Sequence, residues 1–358
     1  MPISPSSRPM LALTMGDPAG IGPEIILRAL ARPRVKNLAD YIIIGDLKTL
    51  TRTKDFLCRH RIPCLKDLSK INPVRDRLPL GNRLWLPNSF SNGVNILDLK
   101  NVPATGFSFG KEDAACGKAS IEYIGRAFDL VRSGAADGMI TAPINKAAAR
   151  KSGFQFPGHT EYLASLSGVD NFVMMLAGGL LKVSLVTRHI RLRDVSEKIT
   201  VKNISDTIAM TLRALKTDFR IAKPQVGVCA LNPHRGEGGI FGDEEKRIIA
   251  PAVRRFKGSE VRGPFSADSI FYDAYRGKFD CVVCLYHDQG LIPLKMIARD
   301  SGVNITLGLG FVRTSPDHGT AFDIAGKGKA DPSSMEAAIK TAVFMAANRK
   351  QNAIKKRN

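Results

Sequence analysis

A chain of 358 residues, 44% hydrophobic and 24% charged, is long enough to bury a large core without disulfides or structural metal, and its composition excludes a wholly disordered or coiled-coil protein. No apolar run reaches the length of a membrane span, and the segment Met1 to Met10, broken by Pro2, Pro5 and Pro9, lacks the core of a secretory signal and reads as a loose arm. Lys and Arg number 53 against 33 Asp and Glu, a formal charge of +20 that favours anionic partners such as phosphorylated metabolites or nucleic acid.

The predicted elements alternate. Leu11 to Met15 reads as a strand running into Gly16-Asp17-Pro18-Ala19-Gly20-Ile21-Gly22-Pro23-Glu24, then a helix to about Ala31, with Pro23 suited to its first turn. Tyr41 to Gly45 is a second strand. Lys111 to Arg132 is an amphipathic helix, with Ile121, Ile124, Phe128 and Val131 at helical spacing. Gly138 to Thr141 is a short strand. Phe172 to Leu176 and Lys182 to Val186 form a hairpin around Gly178-Gly179. A helix marked by Ile204, Ile208, Leu212 and Leu215 follows, then a strand from Gln225 to Leu231 and a helix from Asp243 to Phe256. Asp280 to Tyr286 is a strand, and Ser333 to Asn348 is the closing helix. This alternation predicts an α/β protein with a largely parallel central sheet.

Charge and cysteine usage narrow the function classes. From Thr51 to Arg83 there are nine basic and three acidic residues, and the tail after Asn348 is basic again. Aromatics are only 7%, without basic interleaving or zinc-finger spacing, so no nucleic-acid partner is expected. Six cysteines without a signal peptide suggest free thiols in a reducing compartment. Cys281 and Cys284 have C-x-x-C spacing but lie in an apolar strand and read as core.

Three of the six histidines follow predicted strands: His189, His234 and His287. Sites in open parallel sheets form beyond the carboxyl ends of strands. Three imidazoles there could hold a divalent metal with a position open for substrate, with Asp288 orienting His287, or each could be an ordinary loop residue. His159-Thr160-Glu161 opens a helical segment. Either Thr160 caps that helix, or its first turn offers His159 and backbone amides to an anion. Lys295, Asn304 and Arg313 are candidates for holding a phosphate. The Asp17 to Gly22 loop is glycine-rich but is neither G-x-G-x-x-G nor a Walker A loop.

Seven blocks together resemble the 4-hydroxythreonine-4-phosphate dehydrogenase family of pyridoxal phosphate biosynthesis. They are Thr14 to Glu24, Thr141-Ala142-Pro143-Ile144-Asn145-Lys146, Gly158-His159-Thr160-Glu161-Tyr162-Leu163-Ala164, Leu231-Asn232-Pro233-His234, Gly236-Glu237-Gly238-Gly239, His287-Asp288-Gln289-Gly290-Leu291, and Arg313-Thr314-Ser315 through Ala330. They occur in the family's order between residue 11 and about 345.

The resemblance implies a two-lobed fold like that of isocitrate and isopropylmalate dehydrogenases. The first lobe, on the cofactor side, is expected over 1–135 plus 300–358, and the second, on the metal and dimer side, over 136–299. It implies a cytoplasmic homodimer with a shared active site, not a membrane protein. The implied reaction is NAD- or NADP-dependent oxidation of 4-phosphooxy-L-threonine, followed by decarboxylation to 3-amino-2-oxopropyl phosphate. One divalent ion (zinc, magnesium or cobalt) would sit on His189, His234 and His287, and substrate on His159, Thr160, Lys295, Asn304 and Arg313.

Asp268, Lys146 and Asp288 are the acid/base candidates on matching blocks. The His318 to Gly328 segment also resembles the adenosine loop of isopropylmalate dehydrogenases, which implies cofactor contacts at Gly319 and Asp323. A glycine-rich connection before the last helix is the plainer reading of it. Related enzymes on the same scaffold oxidise D-threonate or D-erythronate 4-phosphate, or a cyclic dihydrodiol. Two departures from the family stand out: Gly310 replaces a usual proline, and Arg235 a usual small residue.

Overall fold

A computed structural model describes residues 8–65, 94–103, 107–256, 258 and 260–355. Most of the N-terminal arm, most of the basic stretch beyond Leu65 and the last residues of the tail lie outside that set. In chain order the strands are β1 (Met10–Thr14), β2 (Asp40–Gly45), β3 (Val94–Asp98), β4 (Gly138–Thr141), β5 (Val173–Gly178), β6 (Leu181–Leu185), β7 (Val226–Cys229), β8 (Val261–Phe265), β9 (Cys281–Cys284), β10 (Val303–Leu307) and β11 (Val312–Pro316). The α-helices are α1 (Gly22–Leu30), α2 (Pro33–Lys36), α3 (Leu47–Arg59), α4 (Ala114–Arg132), α5 (Lys146–Lys151), α6 (His159–Leu166), α7 (Val195–Lys198), α8 (Val201–Thr217), α9 (Ala250–Arg254), α10 (Ala267–Tyr275), α11 (His287–Ala298) and α12 (Ser333–Lys355). None of the described helices is long and apolar enough to cross a membrane.

The chain divides into two compact units, Met1–Asp170 with Leu309–Ala347, and Asn171–Gly308 with Asn348–Asn358. These bounds differ from the expected 135/136 and 299/300 for a reason visible in the strand pairing. Residues after 135 stay in the first unit because β4 pairs parallel with β1, Leu11 opposite Gly138. Residues 300–308 stay in the second because β10 pairs antiparallel with β5, Asn304 opposite Leu176.

In the first unit the strand order is β3-β2-β1-β4-β11, and every pairing is parallel. A parallel sheet covered on both faces needs continuous apolar strands rather than alternating ones. Ile42, Ile43 and Ile44 supply such a run, all fully buried. The α4 helix starts at Ala114 rather than Lys111 because the Asp113 side chain accepts the Cys116 amide and fixes the cap there.

In the second unit the order is β10-β5-β6-β9-β7-β8. The β5–β6 hairpin is antiparallel, as its glycine turn predicts, and β6, β9, β7 and β8 are parallel. Val183, Leu185, Val282, Cys284, Leu291 and Leu294 pack together in its core. The six cysteines form no disulfide, and burial pushes the Cys281 thiol up to about 12, in keeping with a core residue.

Candidate active site

Each unit carries candidate residues of its own beyond its strand ends. In the first unit, β4 ends at Thr141 and the chain turns through Pro143 and Asn145 into α5. The Asn145 side chain accepts the Ala148 amide and caps α5, so Lys146 becomes its first residue. Asp17, just past β1, donates its N–H to the Pro143 carbonyl at 2.9 Å and ties the two strand ends together.

The start of α6 shows that Thr160 is not its cap. Its N-cap is Gly158, which has no side chain, and Thr160 lies buried inside the first turn rather than capping it. The helix therefore begins with no side-chain cap on its amides, an arrangement suited to an anion. Arg313, on β11, is 2% exposed and donates from Nη2 to Thr141 Oγ1 at 2.7 Å. Burial brings its pKa down only to about 10, so it stays cationic at neutral pH.

Burial, reinforced by the charges of Arg313 and Lys146, brings the His159 imidazole down to about 3. The ring is neutral at pH 7. It hydrogen-bonds the backbone of Ala142, while Nε2 is sealed from solvent without a hydrogen-bond partner. A neutral ring that donates to the backbone through Nδ1 carries its lone pair on Nε2. Sequence reasoning did not single out Asp17. Its carboxyl is fully buried, Oδ1 accepts the Ala19 amide at 2.9 Å, Oδ2 has no hydrogen-bond partner, and burial raises its pKa to about 6.

In the second unit, the Val186 and Thr187 amides donate to the Cys284 and Leu285 carbonyls, extending the β6–β9 pairing past the strand ends. That extension brings His189 and His287 together, with ring centroids 5.4 Å apart. Asp288 Oδ1 lies 2.7 Å from His287 Nδ1, the arrangement that orients an imidazole for metal ligation through its other nitrogen. The donor chemistry of this pair fits a divalent cation.

His234 is not collected with them: among the described residues, no three His, Cys, Asp or Glu side chains gather into a ready cluster. It sits instead on a loop in which His234, Arg235, Gly236, Glu237 and Gly238 all have positive φ. Glu245 braces the approach to that loop, accepting the Leu231 and Asn232 amides, each at 2.8 Å. Gln289 bridges Leu285 and Ala230 at 2.7 and 2.8 Å. Neither residue was found from sequence, although Gln289 lies in the His287-Asp288-Gln289-Gly290 block.

Lys295 is exposed on α11, and Asp268 is exposed in the first turn of α10. Asn304 is half-buried on β10, with Oδ1 sealed and without a hydrogen-bond partner. Arg235 is exposed to solvent. Gly310 has a φ of +84°, which a proline ring fixed near −65° cannot adopt.

The His318 to Gly328 loop presents open backbone and an exposed carboxylate. Nothing stands within 4 Å of where a Cβ on Gly319 would lie, and the Asp323 carboxylate is exposed. Lys327 Nζ donates to the Asp323 backbone carbonyl at 2.7 Å, closing the loop on itself.

An α/β scaffold with a buried arginine, a neutral imidazole and an uncapped helix start in one unit, and a carboxylate-oriented histidine pair in the other, defines an enzyme for anionic substrates. Residues 37–342 match the family model described as "Pyridoxal phosphate biosynthetic protein PdxA". The chain is 43% identical to a 4-hydroxythreonine-4-phosphate dehydrogenase of Geobacter metallireducens, over 96% of this chain and 97% of that protein. It is 42% identical to a D-threonate 4-phosphate dehydrogenase of Cupriavidus necator, over 95% and 98%. A crystal structure of 4-hydroxythreonine-4-phosphate dehydrogenase from Klebsiella pneumoniae superposes with a TM-score of 0.81 at 39% identity, over 96% of this chain and all of that one. The chain belongs to the PdxA family and is an oxidoreductase, a dehydrogenase of that family.

Proposed function

We propose that the protein catalyses NAD- or NADP-dependent, divalent-metal-assisted oxidation of 4-phosphooxy-L-threonine, followed by decarboxylation to 3-amino-2-oxopropyl phosphate, within pyridoxine 5'-phosphate synthesis. The single observation that carries this reading is the buried Arg313 beside the sealed, neutral His159 at the start of α6. Arg313, Lys146 and the first-turn amides neutralise and orient the anionic substrate. His159 accepts a substrate hydrogen bond at Nε2 without adding charge. Thr160, Lys295 and Asn304 complete substrate binding, the sealed Oδ1 of Asn304 serving as an acceptor.

His189 and His287 would hold one divalent ion (zinc, magnesium or cobalt), Asp288 orienting His287, with His234 as third ligand once its loop closes on the pair. Gly319 and Asp323 hold the adenosine side of the dinucleotide, so the first unit is the cofactor side. A dinucleotide held there would supply the hydride acceptor, and a cation on the histidines would supply polarisation of the substrate oxygen. The hydroxyl proton passes to a base, for which Lys146, Asp268 and Asp288 are the candidates. Exposed Ile292, Met296 and Ile297 on α11 support a homodimer built on the second unit, with an active site shared between protomers. A cytoplasmic setting suits the free thiols.

The likeness to the Cupriavidus enzyme supports D-threonate 4-phosphate as the second reading. NADH formation with 4-phosphooxy-L-threonine, beside D-threonate and D-erythronate 4-phosphate and with or without a chelator, tests both. Chelator-sensitive turnover of the threonine substrate alone supports the first reading. Turnover of a sugar-acid phosphate alone replaces it with the second.

A further inference from the structure

The glycine-rich segment from Gly16 to Glu24 matches no phosphate-binding fingerprint, and the proposed reaction leaves it without a task. Its contacts run to residues about 300 positions further along the chain. The Glu24 side chain, 2% exposed, accepts the Ala330 amide at 2.9 Å through Oε1. The same oxygen accepts Arg28 Nη1 at 3.3 Å. Arg28 Nη1 donates in turn to the Gly328 carbonyl at 3.2 Å and to the Ala330 carbonyl. At the other end of the segment, the Ile21 amide donates to the Thr320 carbonyl at 3.1 Å.

Packing is equally close. A Cβ on Gly20 would lie 3.0 Å from Thr320 Cβ, and one on Gly326 2.7 Å from Phe109 Cβ. The loop from Thr320 to Ala330 is thus gripped at both ends, while Asp323 and Lys327 in its middle stay exposed. A buried ion pair is weak evidence for added stability; its better-attested use is to specify one geometry.

We propose that Glu24 and Arg28 are positioning residues for the dinucleotide, fixing the Thr320 to Ala330 loop so that its open backbone and the Asp323 carboxylate receive the adenosine half. This rests on the reading of that loop as the cofactor site. The glycine-rich segment serves the nucleotide at one remove: it binds the loop that binds the ligand.

Calorimetric titration with NADH, together with steady-state KM values, tests this on Glu24→Ala, Glu24→Gln, Arg28→Met and Asp323→Ala. Glu24→Ala and Arg28→Met are expected to weaken NADH binding tenfold or more, with KM for the phosphorylated hydroxy acid within twofold of the parent. Glu24→Gln keeps an oxygen for the Ala330 amide and should bind NADH within threefold. Arg28, with a fifth of its side chain exposed, supplies the readout should Glu24→Ala fail to fold. Unchanged NADH affinity in Asp323→Ala would remove the cofactor reading of the loop, and the proposal with it. Weakened binding in Asp323→Ala but not in Arg28→Met would overturn the positioning role alone. Equal losses for both ligands would mark Glu24 and Arg28 as merely structural.

Discussion

His159 and Asp17 titrate in opposite directions within the first unit. For His159 the folded pKa, about 3, lies below the ordinary 6.5. Its contribution to stability is intact above pH 6.5 and falls as pH drops toward 3, because the unfolded ring takes up a proton that the folded ring does not. For Asp17 the folded pKa, about 6, lies above the ordinary 3.8. Its contribution is intact below 3.8 and is lost as pH rises to 6, because the unfolded carboxyl ionises first. Asp17→Asn should therefore gain on the parent between pH 4 and 6 and stay ahead by about 1–3 kcal/mol at pH 7 to 8. Melting curves from pH 4 to 8 measure this, and a constant offset across the range would contradict it.

Arg313 makes a second residue-scale prediction. Lysine keeps the charge but loses the planar fork and the bond to Thr141 Oγ1. Losing a charge-assisted hydrogen bond costs about 1.5–3 kcal/mol, so Arg313→Lys should raise KM for the phosphorylated substrate roughly ten- to hundredfold. Steady-state kinetics with saturating dinucleotide reads this directly.

At the level of elements, Glu245 is the test of how the His234 loop is held. It is 6% exposed and accepts two backbone amides at the start of that loop. Glu245→Ala leaves both amides without that acceptor and should destabilise the second unit by about 2–4 kcal/mol. Denaturant melts measure the loss, and amide exchange should quicken first at residues 231–239. The same residue shows where sequence reading reaches its end. Strands β1, β2 and β4 were legible because apolar runs stopped by turn residues leave little alternative. Asp243 to Phe256 read as one helix from its periodicity, yet it forms a π-helical turn over Glu245–Ile249 before α9. Pro251 has no amide to donate, and Glu245 is turned inward to the loop, a partner remote from its own periodicity. The helix that follows His287 was missed because Gly290 and Pro293 interrupt its pattern, and β10 and β11 because Asn304, Arg313, Thr314 and Ser315 break their apolar runs. His159 was nominated from a helix start, Arg313 as a basic residue able to hold a phosphate, and the three histidines from their places after predicted strands. Asp17, Glu245 and Gln289 act through backbone contacts that no spacing rule encodes.

For the whole molecule, the net charge of +20 makes encounter with an anionic substrate an electrostatic event. Raising ionic strength from 0.01 to 0.15 M shortens the Debye length from about 30 to about 8 Å. If association limits capture, kcat/KM for the phosphorylated substrate should fall severalfold over that range while kcat holds. Stopped-flow or initial-rate measurements in graded salt would show it, and a flat profile would assign the charge to something other than capture.

The grip of Glu24 and Arg28 on the segment around Gly328 and Ala330 also fixes an order of events during synthesis. Residues 171–308, the bulk of the second unit, leave the ribosome as one contiguous stretch and can fold while translation continues. The first unit cannot close in the same way. Until residues 309–347 are made, β4 lacks its β11 neighbour and α1 has nothing to hold. Most of the second unit is therefore made before the first can be finished, and in a nascent chain stalled near Gly308 the β4 edge of the first unit's sheet stays open, the kind of edge that invites pairing with another chain.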